Sequence, residues 1–508
     1  MAAQFRSRSL LTSLSRFAPL LVGLAVFAAE AARPYRRGAV AAAHPVGSQA
    51  GLVMLAKGGN AIDAAVAAAF AMGVVGPYHS GLGGGGFALV YEAKKGEAAV
   101  LDFREVAPKA ARRDMFVRDG KVVPGMSTDG GLSVAVPGAV KGYLELLAKY
   151  GKLPPKVVLA PAIRAARTGF FVTPKYRAMA ESRLECLRQD PEATRLFLRD
   201  ASPPSIGSKI VQPELARTLE TLARGGPQAF YQGKVARAIA ETVRAHGGVL
   251  TAEDLSAYRT TWRKPLAGSY RGHQVLTMPP PSAGGLAVVQ VLGALELLGS
   301  EGPVSRKPEV LHRYIEAVRR AYLDRARYLG DPAFVDVPTE RLSSPAHIEE
   351  LARSIDPKHA TPSSTLSPLP EHTDGGEAKK NTTHISVIDA EGNAVSLTTT
   401  VNYMFGSCLV AKGTGVLLND EMDDFAAQPL VPNAYGLVTG EANAIAPGKI
   451  PLSSMAPTLV FAKEKPNQVL LAIGSPGGST IPTTVIQVIS NLTVDQFGIG
   501  SGRESQSK

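Results

Sequence analysis

Asn381-Thr382-Thr383-His384-Ile385-Ser386-Val387-Ile388-Asp389 follows a segment, Thr361 to Lys380, that is rich in Ser, Pro, Gly and charge and holds almost nothing apolar. A strand pattern begins abruptly at Thr382. A loose polar segment running into a strand that opens with threonine is what a self-cleaving hydrolase requires. Scission of Asn381–Thr382 makes Thr382 a new N-terminus, its hydroxyl a nucleophile and its freed amine the base. An α-amine titrates at about 7.7–8.0, so a useful fraction is neutral near pH 7. Taken alone, the Thr-Thr pair is equally an ordinary strand start, because β-branched residues suit strands.

The residues downstream separate the two readings. Ile385 to Asp389 alternates apolar and polar, Glu391-Gly392-Asn393 supplies turn residues, and Ala394 to Thr400 resumes a strand. This predicts a β-hairpin. A turn centred on Glu391-Gly392 sets position 382 opposite 401 and brings Thr400 and Asn402 beside Thr382. Three further stretches carry complementary chemistry: Asn419-Asp420-Glu421-Met422-Asp423-Asp424-Phe425, Pro451-Leu452-Ser453-Ser454-Met455 and Gly474-Ser475-Pro476-Gly477-Gly478-Ser479. Acidic side chains bind an ammonium, and adjacent serines donate hydrogen bonds to a carboxylate. A Gly-Gly step lets backbone N–H groups approach a developing oxyanion. The acid cluster also reads as a solvated loop or a divalent-ion site, although no metal-binding spacing accompanies it.

With Asn60-Ala61-Ile62-Asp63-Ala64-Ala65-Val66, Gly81-Leu82-Gly83-Gly84-Gly85-Gly86-Phe87, Asp102-Phe103-Arg104-Glu105 and Pro279-Pro280-Pro281-Ser282-Ala283-Gly284-Gly285, these stretches resemble the γ-glutamyltranspeptidases (glutathione hydrolases) of bacterial type, N-terminal-nucleophile hydrolases. They occur in the family's order between about position 35 and 491. The resemblance implies a four-layer αββα sandwich of the α+β class. It implies a nucleophile at Thr382, positioned by Thr400, and cleavage between Asn381 and Thr382. It implies a γ-glutamyl α-carboxylate on Arg104, assisted by Ser453 and Ser454, and its α-amino group on Asn402, Glu421 and Asp424. Gly477 and Gly478 would form the oxyanion hole, and Tyr435 the lid. No cofactor and no metal are implied. The expected partners are glutathione or other γ-glutamyl compounds, acceptor amino acids or dipeptides, and the two subunits cut from one precursor. Arg suits the carboxylate because its planar fork binds it bidentately.

Composition agrees with a large globular enzyme. The 508 residues are 45% hydrophobic and 19% charged, with a formal net charge of +11. The charge is uneven: net −4 from Thr382 onward and +15 before it, a difference that favours association of the two products. Basic residues are scattered without interleaved aromatics, which argues against nucleic acid as a partner. Arg6, Arg8 and Arg16, the apolar run Phe17 to Ala29 and the small-x-small site Ala29-Glu30-Ala31 predict a secretory signal peptide over 1–31. A secreted or periplasmic location follows, with an uncleaved membrane anchor as the alternative. The large subunit is then 32–381 and the small subunit 382–508. Two cysteines, Cys186 and Cys408, exclude a disulfide framework. They lie on opposite sides of the cut, and each reads as a small buried residue.

Gly81 to Gly86 formally satisfies GxGxxG, yet Phe87 to Tyr91 reads as a strand where a dinucleotide site needs a helix. No GxxxxGK[ST] or GxSxG occurs. Helical patterns cover Ala139 to Tyr150, Pro213 to Leu222, Gly233 to His246 and Pro308 to Tyr328. Strand-like runs gather at 86–101, 268–277, 384–400 and 457–473. The helical and strand pattern ends near Val494, before a polar, aperiodic tail from Gly498 to Lys508. The small subunit is therefore expected to be incomplete at its C-terminus, with sheet edges and core surface exposed. Against an active self-processed hydrolase and transferase stand two alternatives, an inactive truncated remnant and a related acylase of the cephalosporin acylase kind.

Overall fold

A computed structural model describes residues 38–300, 307–366 and 381–492 of the chain. The predicted signal peptide and the polar tail lie outside these residues. Ten principal strands build two antiparallel sheets. The first contains β1 (Gly38–Ala42), β2 (Gly85–Glu92), β3 (Glu97–Phe103) and β4 (Thr261–Arg263). The second contains β5 (Leu266–Tyr270) and β6 (His273–Thr277). The segment after the predicted cut contributes to both: β7 (Thr383–Asp389) and β8 (Ala394–Thr400) to the first, β9 (Thr458–Ala462) and β10 (Lys465–Ile473) to the second. The strand orders are β1-β7-β8-β2-β3-β4 and β10-β9-β6-β5.

The sheets stack face to face. Ser396 Oγ, on β8, donates to the Ile473 carbonyl at 2.8 Å and accepts from Thr458 N–H at 3.0 Å, both on the second sheet. Helices α1 (Pro45–Ala56), α2 (Ala61–Val75) and α3 (Ala139–Tyr150) cover the outer face of the first sheet. Helices α4 (Ala283–Leu297), α5 (Pro308–Tyr328) and α6 (Ile481–Leu492) lie on the second side of the sandwich. The period of two along β2 sorts its side chains. Ala88 and Val90 join the core under α2, while Phe87, Leu89 and Tyr91 join the core shared with the second sheet. The fold is α+β with the αββα layering that the resemblance implies.

The motif Asn60 to Val66 is the start of α2. Asn60 and Asp63 form a reciprocal capping box, and every residue from Ala61 to Val75 is buried. An alanine-rich helix suits that place because small side chains let it approach the sheet closely. The glycine run serves the same end. A Cβ at Gly84 would lie 1.9 Å from the Thr400 carbonyl oxygen, so only glycine lets this turn pass behind the end of β8. The residues after it form β2, as the strand reading of Phe87 to Tyr91 expects.

The hairpin forms with a shifted register. Thr383 pairs with Thr399, which places Thr382 opposite Thr400 and not opposite 401. The cause is the turn. Asp389 and Asn393 close a three-residue loop, with Gly392 at φ +85° and Asp389 Oδ1 accepting from the N–H groups of Glu391 and Asn393. The cysteines also differ from expectation. Cys186 and Cys408 are both buried, and they are joined in a disulfide across 222 residues of sequence. Sequence distance hid a pairing that the packing of a helix (Leu184–Gln189) on the loop after β8 creates.

Candidate active site

The site lies where β7 begins, at the end of the first sheet. Thr382 has φ +97°, a conformation in which a β-branched residue is strained. The strain is held from both sides. The Gly477 N–H donates to the Asn381 carbonyl at 2.9 Å, and the Asn381 side-chain amide donates to the Asn402 carbonyl at 3.0 Å. Thr382 Oγ1 lies 3.1 Å from Thr400 Oγ1, which accepts the Asn402 N–H at 2.9 Å. The hairpin thus delivers Thr400 to the hydroxyl of Thr382, and the backbone turn at Pro476-Gly477-Gly478 delivers a donor to the carbonyl before it.

One cavity of about 20 Å³, room for a water molecule, gathers Thr382, Thr400, Arg104, Asn402, Glu421, Asp424, Tyr435, Ser453, Ser454 and Gly478. Gly477 reaches the Asn381 carbonyl from behind without lining that cavity. Arg104 ends β3 and is 1% exposed. It is ion-paired through Nη1 with Glu421 and through Nη2 with Asp424. The guanidinium expected to hold a carboxylate is therefore already paired with the acids expected to hold an amine. Burial opposes its charge, yet Glu421, Asp424 and Glu105 together raise its pKa above the ordinary arginine value.

Glu105 was missed as a site residue, although it sits in the quoted Asp102-Phe103-Arg104-Glu105 motif. It is fully buried, 3.8 Å from Arg104 Nη1 and within hydrogen-bonding reach of Glu421. Neither of its oxygens, nor Glu421 Oε2, has a donor. Burial raises both carboxyls, Glu105 to about 7 and Glu421 well above its ordinary value. A proton held between them satisfies the orphaned oxygens.

Ser453 Oγ accepts the Met455 N–H at 3.0 Å, whereas the buried Ser454 hydroxyl has no partner. It is free to meet a ligand. Asn402, at φ +69°, donates its amide to the Asp420 carbonyl. Asn419 fixes the acidic loop by accepting the Glu421 N–H at 3.0 Å and donating to the carbonyls of Gly83 and Ala135. Tyr435 donates to the Asn402 carbonyl at 2.6 Å and packs on Gly478, where a Cβ would come within 2.5 Å of its ring. Asn433 was also missed. It donates to Asp424 Oδ1 at 3.2 Å and accepts from the N–H groups of Tyr435 and Leu437, which couples the lid to the acids. The turn-forming composition of 433–436 was its signal.

The comparisons with known proteins agree with this geometry. The family model described as Gamma-glutamyltranspeptidase matches residues 47–500. The glutathione hydrolase proenzyme of Escherichia coli (strain K12) is 42% identical over 464 residues, covering 90% of this chain and 78% of the relative. The crystal structure of the Helicobacter pylori γ-glutamyltranspeptidase aligns with TM-score 0.64 at 37% identity, over 68% of this chain and 99% of that one. A cephalosporin acylase from Bacillus halodurans aligns with TM-score 0.77 at 30% identity, over 91% of this chain and 81% of that one.

Proposed function

Because the chain belongs to the γ-glutamyltranspeptidase family, we propose that it is a self-processing hydrolase and transferase of γ-glutamyl amides, glutathione among them. The observation that carries this reading is the single cavity in which Thr382 meets Arg104, Glu421 and Asp424. A γ-glutamyl group is a zwitterion attached to an amide carbonyl, and each of its three features has a counterpart there.

In processing, Thr382 Oγ attacks the Asn381 carbonyl carbon, and the Gly477 N–H stabilises the oxyanion. The C–N bond breaks, the nitrogen takes the proton, and an ester remains. Water opens the ester and frees the Thr382 amine. The products are the large subunit, 32–381, and the small subunit, 382–508. In turnover the γ-carbonyl takes the place of the Asn381 carbonyl. The Thr382 hydroxyl attacks it and its proton passes to the freed amine. That proton goes on to the departing amine, leaving a γ-glutamyl ester. Water, or the amine of an acceptor amino acid or dipeptide, then displaces Thr382.

The Arg104 ion pairs explain the charge logic of recognition. A zwitterion inserts between them without changing net charge: its carboxylate takes over Arg104 with Ser454, and its ammonium takes over Glu421 and Asp424 with Asn402. A substrate with only a carboxylate leaves both acids unpaired in a buried site. This favours a γ-glutamyl donor over the acylase reading, whose side-chain amides need not carry an α-amine. The disulfide supports an oxidising compartment, in keeping with export. No helix among the described residues is long and apolar enough to cross a membrane.

Mass analysis of the purified protein tests processing. The expected result is a fragment beginning at Thr382, about a quarter of the chain, and an intact chain for Thr382→Ala. Turnover of a γ-glutamyl anilide against the glutaryl anilide tests the substrate. Removing one partner of a desolvated charge pair costs about 2–5 kcal/mol, so the glutaryl compound should be slower by tenfold or more. Equal rates overturn the γ-glutamyl reading.

A further inference from the structure

A second cavity, of about 320 Å³, adjoins the γ-glutamyl pocket, and Leu437 lines both. Helix α5 contributes Arg319, Tyr322 and Arg325 to it, and the lid contributes Gly436 and Val438. Tyr322 donates its hydroxyl to the Ser479 carbonyl, which ties α5 to the Gly477–Gly478 turn. The cavity therefore begins beside the carbonyl-binding turn and runs away from the pocket that holds Arg104.

Its charge is one-sided. Two arginines and no acidic side chain line it among the described residues. Arg319 is committed to Glu316, the Thr361 carbonyl and the Ser363 hydroxyl. Arg325 is not. It is 5% exposed, its Nε has no partner, and its Nη1 reaches only the Val438 carbonyl at 3.4 Å. The other buried arginines, Arg104, Arg183 and Arg320, each have a carboxylate within ion-pair distance. A guanidinium buried without an anion is costly unless a ligand supplies one.

We infer that this cavity receives the group on the far side of the γ-glutamyl amide nitrogen, and that Arg325 binds the carboxylate of that group. The leaving amine and the acceptor are then preferentially amino-acid-like or short peptides with a free C-terminus. A planar fork suits a terminal carboxylate. The inference rests on the γ-glutamyl reading and adds the specificity of the second substrate.

The test uses the full-length processed protein, a γ-glutamyl anilide as donor, and glycylglycine or its C-terminal amide as acceptor. For the wild type the KM of the amide should exceed that of the free acid by roughly tenfold or more. In Arg325→Gln that ratio should fall to near one, and in Arg325→Lys a part of it should return. Equal KM values in the wild type overturn the inference without any variant. A ratio that survives in Arg325→Gln, with both acceptors slowed alike, assigns Arg325 a structural role and overturns it too. If the wild type fails to cleave the anilide at all, the γ-glutamyl reading falls and this inference with it. Cleavage without carboxylate discrimination leaves that reading standing and removes only this one.

Discussion

Glu105 shows how a single buried carboxyl sets a pH response. Burial raises it from 4.5 to about 7, so the folded protein keeps a proton that the unfolded chain has released. Its contribution to stability is then full below about pH 4.5 and is lost as pH rises through about 7. Glu105→Gln removes the titration and supplies a permanent donor toward Glu421. The melting temperature of the wild type should fall between pH 5 and pH 8 by more than that of Glu105→Gln. Thermal denaturation of both at the two pH values checks this, and parallel shifts would show that Glu105 does not hold the proton. Arg104 belongs to the same cluster. Arg104→Ala strands Glu421, Asp424 and Glu105 without their cation, so it should lower stability by about 3–5 kcal/mol besides weakening substrate binding. Comparing denaturant midpoints with KM separates the two effects, and an unchanged midpoint would deny the ion pairs a structural part.

The oxyanion turn and the lid act as fitted elements. Gly478 has φ +53° and touches the Tyr435 ring, so any side chain there is strained and displaces the lid or the turn. Gly478→Val should reduce turnover by about 10²–10³, the scale of losing one oxyanion donor. Single-turnover release of the anilide measures this, and a loss under threefold would remove the turn from the chemistry. These elements were partly legible in sequence. Pro476-Gly477-Gly478 announced a turn, and the alternation around Ile385 to Thr400 announced the hairpin. The register escaped by one residue because Asp389 closes a three-residue loop through its side chain, which alternation does not encode. Arg104, Glu421, Asp424 and the serines were placed by resemblance to a family. Nothing local to Arg104 says that its partners lie more than 300 positions away, or that they neutralise it before substrate arrives. The disulfide was illegible for the same reason, since two isolated cysteines carry no spacing signal.

At the scale of the whole molecule, the two cleavage products cannot part without dismantling both sheets. Strands β7 and β8 of the small piece lie between β1 and β2 of the large one, and β9 pairs with β6. The charge difference between the pieces, +15 against −4, acts in the same direction. The Cys186–Cys408 bond adds a covalent link across this division. It is reinforced by Arg183, which donates to the carbonyls of Met404 and Gly406 and pairs with Asp129. The loop so fastened follows directly from Asn402, so the link also steadies the residue on which Asn381 and Tyr435 converge. Fully processed protein should therefore run as one band on a denaturing gel without reductant and as two bands with it. Cys408→Ser should give two bands in both, yet still elute as one species under native conditions, because the interleaved strands hold it. Its stability should fall by about 2–4 kcal/mol, the usual loss with a native disulfide. Two bands from alkylated wild-type protein without reductant would show that the thiols are free, and the strands alone would then account for the association.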